Sequence, residues 1–179
     1  MLLDQKRTRR TVQIVAILTS LAFGGVIIVV LGLIFFGGGG TSQTEQLVKD
    51  AQARVEQQPD NPEAWEELAS AYSGNEQNPE AVDAAERAVE LAPNQYRRVQ
   101  TLVALQIRAG DNAGAIQTLQ TFTGANPDSA EAFLQLGQLA EDAGRTALAR
   151  LSYSRFLQLE PDDRRADEVR ERLRGLGGT

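Results

Sequence analysis

The sequence predicts an all-α protein: an N-terminal transmembrane helix followed by an α-solenoid of three helix pairs, with a cap helix at each end. Three observations carry that reading. Residues 11–36 form one uncharged, apolar run. Pro59, Pro93, Pro127 and Pro161 recur at a fixed interval of 34 residues. Apolar side chains recur on the same beat at helical spacing, the mark of repeated supersecondary units.

The chain begins with a basic tail, residues 1–11, in which Lys6, Arg7, Arg9 and Arg10 oppose a single Asp4. "TVQIVAILTSLAFGGVIIVVLGLIFF" follows. Its helical part, 12–36, is roughly 37 Å long at about 1.5 Å per residue, enough to cross a bilayer core with some tilt. The next basic residue is Lys49. Basic charge on the N-terminal side predicts a single-pass plasma-membrane anchor, its N-terminus cytoplasmic and its body extracytoplasmic. A cleaved signal peptide is the alternative, but its apolar region is normally much shorter. A lipoprotein anchor is excluded, because the chain has no cysteine to acylate. Within the span, Ala16, Ser20 and Gly24 recur every four residues, with Gly32 eight further on. Such a stripe suits close helix–helix packing, and so a homo-oligomer through the span.

"GGGGTSQT", residues 37–44, is a flexible linker with a reach of about 15 Å. From Thr44, "TEQLVKDAQARVEQ" matches the second half of a repeat unit, with Leu47, Ala51 and Val55 on the apolar side. It predicts an N-terminal cap helix over 45–57 that has no first helix of its own.

The three units run 62–95, 96–129 and 130–163. Each proline is followed by Asp60, Asn94, Asp128 or Asp162. Proline stops one helix, and the Asx side chain is expected to cap the next. Trp65, Val99 and Phe133 share one column, and Leu68, Leu102 and Leu136 another. Ala69, Val103 and Gly137 share a third; Ala81, Ala115 and Ala149 a fourth. Between the helices of a unit lie short turns, "SGNEQNP", "AGDN" and "AGR", in which Gly110 and Gly144 are placed as left-handed C-caps. Residues 164–174, "RRADEVRERLR", predict a C-terminal cap helix that buries Ala166, Val169 and Leu173 and solvates the end of the stack.

These columns resemble the tetratricopeptide repeat family, a 34-residue helix–turn–helix with the pattern W-x2-L-G-x2-Y, A-x3-F, P. The first unit has Trp65, Leu68, Tyr72, Ala81, Ala88 and Pro93; the third has Phe133, Leu136, Gly137, Ala149, Tyr153, Phe156 and Pro161. The middle unit keeps Leu102, Ala115 and Pro127 but has Gln106 in the aromatic column. The resemblance, to membrane-anchored bacterial-type members in particular, implies a right-handed solenoid. It also places the glycine column where the first helix of a unit meets the second. Gly137, a helix-interior glycine that costs about 1 kcal/mol in propensity, is then a packing residue. Val103 should hold the middle pair slightly wider.

Composition narrows the chemistry. Without cysteine or histidine there is no disulfide, no Cys/His zinc site and no imidazole base. From residue 41 onward, 14 basic residues face 23 acidic ones, a net of −9, which opposes a nucleic-acid backbone. The carboxylate pairs Asp162–Asp163 and Glu66–Glu67 read as a helix cap and solvated helix surface, so no catalytic residue, metal ligand or cofactor site is expected. In the family, the first helix of each unit lines the inner face. The resemblance maps that face onto Glu63, Glu66, Ser70, Arg97, Gln100, Ala104, Ile107, Arg108, Glu131, Leu134, Gln138 and Glu141. It implies a protein or peptide partner, either an extended segment or a helix. The Lys/Asn/Arg clamp by which some members grip a chaperone's C-terminal carboxylate is absent: Glu66, Ser70, Thr101, Glu131 and Gln135 stand in its places. The expected function is a membrane-tethered interaction adaptor, in envelope or complex assembly by analogy of fold. The alternatives are a structural subunit with no groove ligand and a secreted adaptor released by signal cleavage.

Overall fold

In the computed structural model, residues 43–177 are described. The expected span 12–36, its stripe Ala16, Ser20, Gly24 and Gly32, and the glycine run of the linker lie outside them. Among the described residues, no helix is long and apolar enough to cross a membrane.

Eight helices follow in order among the described residues: α1 Gln43–Gln57, α2 Pro62–Gly74, α3 Asn78–Leu91, α4 Tyr96–Arg108, α5 Asn112–Ala125, α6 Ala130–Asp142, α7 Thr146–Leu159 and α8 Ala166–Gly175. The pairs α2–α3, α4–α5 and α6–α7 stack in sequential order as a solenoid. Burial explains why the sequence folds this way. Alanine at 81, 115 and 149 is fully buried, and one apolar cluster after another joins each pair to the next. The first cluster runs from Ala51 and Val55 of α1 to Leu102 of α4. The second joins Val103, Leu119 and Phe122 to Leu136 of α6, and the third joins α6 and α7 to Val169 of α8.

The turns follow the glycines. Gly110 has φ +84° and Gly144 φ +68°, and each closes its helix with paired backbone bonds, Asp111 N–H to Gln106 C=O (2.8 Å) and Arg145 N–H to Ala140 C=O (2.7 Å). The longer first turn carries its left-handed residue at Glu76, φ +60°.

Gly137 lies where its column requires a small residue: a Cβ there would sit 2.5 Å from Cδ1 and Cε1 of Tyr153, on the partner helix of the same pair. Val103 fills the equivalent place in the middle pair, fully buried, and the backbones of α4 and α5 approach each other less closely than those of the outer pairs.

Two expectations are corrected. Asp60, Asn94, Asp128 and Asp162 do not cap the following helices. The caps fall one residue or more later, at Asn61, Gln95, Ser129 and Arg165, and among these only the Asn61 side chain accepts a backbone bond, from Glu63 N–H at 3.0 Å. A capping oxygen must reach the second or third helical N–H, and a residue next to the proline is too early in the turn to do so. On α1, Leu47 is 54% exposed while Val48, Ala51 and Val55 are buried. In a complete unit a first helix would cover Leu47; among the described residues α1 has none.

Candidate functional site

The first helices α2, α4 and α6 stand side by side, tied to one another and to α8 through polar side chains. Arg98, only 5% exposed, reaches from α4 to two carboxylates of α2: Nη2 lies 2.5 Å from Glu63 and Nε 3.1 Å from Glu66. Gln95 accepts a further bond from the same guanidinium. Arg97 approaches Glu66 at 3.8 Å. Tyr96 Oη, from α4, donates to Gln135 Oε1 of α6 at 2.7 Å. Burial, followed by the neighbouring Glu131, pushes the Tyr96 phenol above its ordinary range and keeps it a neutral donor. Arg165, leading into α8, grips Glu131 through two bonds of 3.0 and 2.8 Å. These contacts lie near the N-terminal ends of the first helices and make one rim.

A second rim forms at their C-terminal ends. Arg108 of α4 donates to Ser73 Oγ of α2, and Arg172 of α8 approaches Glu141 of α6 at 3.2 Å. Glu141 also accepts from Tyr153 Oη at 2.6 Å. Between the rims lie Ser70, Ala104 and Gln138, all exposed, one per first helix at the same register. Ile107 adds an apolar side chain, 43% exposed, and Gln100 stands beside Tyr96. The result is a strip of uncharged side chains, the trough, bordered by charged edges that bonds within the protein hold in place.

Ten of the twelve mapped residues thus lie on the floor or the edges of one contiguous strip, and Gln100 borders it beside Tyr96. Leu134 does not belong. It is 3% exposed and packed in the cluster that contains Phe156 and Val169, so it is core. Arg98 was missed. Its signal was in the sequence, as an arginine in the column where the sister units have Ala64 and Ala132, both buried. Among the described residues, no group of three or more acidic, cysteine or histidine side chains could hold a metal ion.

The family model described as Tetratricopeptide repeat matches residues 31–96 and 102–164. Protein O-mannosyl-transferase TMTC1 of Homo sapiens is 28% identical over 126 residues, covering 68% of this chain and 14% of that protein. The Mus musculus protein of the same name is 27% identical over 148 residues, covering 73% and 16%. The chain spans only a small part of the length of these curated relatives. Among solved structures, MamA superposes with a TM-score of 0.55 at 17% identity, over 76% of this chain and 89% of that one. The first repeat domain of Spaghetti (RPAP3), bound to the HSP90 peptide SRMEEVD, gives 0.51 at 19%, over 65% and 90%. YrrB, described as having an unusual peptide-binding site, gives 0.53 at 17%, over 75% and 72%. At these identities the likeness is one of fold.

Proposed function

The chain belongs to the tetratricopeptide repeat family, and from that premise we propose that it is a non-enzymatic interaction scaffold, tethered to a membrane by residues 12–36, whose trough along α2, α4 and α6 receives an extended peptide or a helix of a partner protein. The observation that carries this reading is the row Ser70, Ala104 and Gln138. Three exposed, uncharged positions repeat at one register between two charged rims, each held by bonds within the protein. A ligand laid along the row meets a floor free of formal charge and gains apolar contact at Ile107. Peptide binding by relatives of the same fold supports the reading, among them the Spaghetti domain with its HSP90 peptide. That peptide ends in an acidic stretch; Glu66 and Glu131 stand where a carboxylate clamp would be, so this trough favours a different sequence. The basic residues before the span support an extracytoplasmic position for the solenoid. The transferase activity of TMTC1 is not carried over, given how little of that protein the chain spans.

Site-specific photocrosslinking in intact cells tests the proposal. Benzophenone side chains at Ala104 and at Gln138 should give the same discrete adduct, absent when the probe is at Arg150, which is exposed on α7. The absence of an adduct at both trough positions, or equal labelling at all three, would reject it.

A further inference from the structure

A second groove lies on the other side of α4. At roughly 100° per residue, Leu102 and Gln106 point away from the Gln100–Ala104 side that borders the trough. They form, with Val99, the floor of a cleft of about 460 Å³ between α3 and α5. Gln106 stands on its floor in the column where the first unit has Tyr72. Short side chains line the α5 wall, including Gly114, Thr118 and Thr121.

Two features bear on what would fill the cleft. Gln106 is 3% exposed; its Oε1 accepts from Thr118 Oγ1 at 3.0 Å, while its Nε2 makes no hydrogen bond among the described residues. The Gln106 amide lines the open cleft, where its N–H is matched to an acceptor such as a peptide carbonyl. The charged residues lining the cleft, Glu86, Glu90 and Asp111, are all acidic. The nearby Arg87 is held by Glu90 at 2.7 Å. Burial first, then the neighbouring Asp83, Glu90 and Asp111, raise the Glu86 carboxyl above its ordinary value.

We propose that the cleft between α3 and α5 is a second docking site, taking a segment of a partner protein that presents an apolar side chain flanked by lysine or arginine. The apolar group seats on Val89, Leu102 and Phe122, the backbone bonds to Gln106, and the cations meet the acidic rim. The site is independent of the trough, so the chain can hold two segments at once.

Fluorescence anisotropy with the full chain in nanodiscs of a zwitterionic lipid tests this, using three labelled hexapeptides: RKLFKR, EDLFDE and RKSGKR. RKLFKR is expected to bind at least tenfold more tightly than either control. Glu86→Lys with Glu90→Lys, and separately Thr121→Trp, should each weaken it at least tenfold; all three positions are exposed, so the fold should tolerate these changes. Ala104→Trp, in the trough, should leave it unchanged. No binding of RKLFKR at millimolar concentration, or equal binding of all three peptides, would overturn the proposal. Loss of binding through Ala104→Trp but not Thr121→Trp would also overturn it, while leaving the trough reading intact.

Discussion

Gly137 on α6 and Tyr153 on α7 pack so closely that a methyl group on the glycine would lie 2.5 Å from two carbons of the fully buried tyrosine ring. The ring is rigid and enclosed, so either helix must shift to admit a side chain. Gly137→Ala should therefore destabilise by about 1–2 kcal/mol, because overpacking of roughly 1–3 kcal/mol outweighs the gain of up to about 1 kcal/mol in helix propensity. Combining it with Tyr153→Leu should recover on the order of 1 kcal/mol relative to the sum of the single changes. Urea unfolding, followed through the sole tryptophan, Trp65, and by circular dichroism, measures both.

The Arg98 cluster should respond asymmetrically. Removing both carboxylates, as Glu63→Gln with Glu66→Gln, leaves a guanidinium that is 5% exposed without a charged partner. The expected loss is about 3 kcal/mol. Arg98→Met leaves two carboxylates that water can reach and keeps an apolar stem, so its expected loss is under about 1 kcal/mol. Equal losses in thermal denaturation would contradict this account of the cluster. The same contact makes charge reversal at Glu66 a poor probe of partner binding, since it sets a second cation against Arg98.

The fold was legible because its determinants are periodic. Size at Gly137, φ at Gly110 and Gly144 and burial at Ala81, Ala115 and Ala149 are fixed by position within a 34-residue beat, so one unit annotates the next. The errors fall where periodicity stops being informative. Leu47 and Leu134 occupy ordinary columns, but each sits at an end of the described stack, where the neighbour differs: α1 has no first helix, and Leu134 shares its buried cluster with Val169 of α8. The cap positions depended on a one-residue offset in a turn, which composition does not resolve. The trough was legible as a set of positions, yet not as paired rims, because ion pairs such as Arg165–Glu131 depend on side-chain reach between helices.

Leu134 distinguishes core from groove. Leu134→Ala should destabilise by about 2–4 kcal/mol as a core truncation. Gln138→Ala, four residues on and exposed, should change stability by less than about 0.5 kcal/mol. Calorimetry of the two variants side by side makes the comparison.

The turn that leads into α8 should loosen in acid. Bonds from the Arg165 side chain, and then from its backbone N–H, hold the Asp163 carboxyl down at about 2 from an unperturbed 3.8. A depressed native value contributes stability that is complete above the unfolded value and lost as pH falls from about 4 toward 2. Wild type should therefore melt above Asp163→Asn by a constant margin at pH 5 to 7, and the two should converge near about pH 2.

The central claim is that α2, α4 and α6 present Ser70, Ala104 and Gln138 as one continuous surface. Because the chain has no cysteine, spin labels at Ser70→Cys and Gln138→Cys are free of background. Double electron–electron resonance should give one narrow distance near about 20 Å, two helix spacings of roughly 8–10 Å each. A broad distribution, or a peak beyond about 35 Å, would contradict the account.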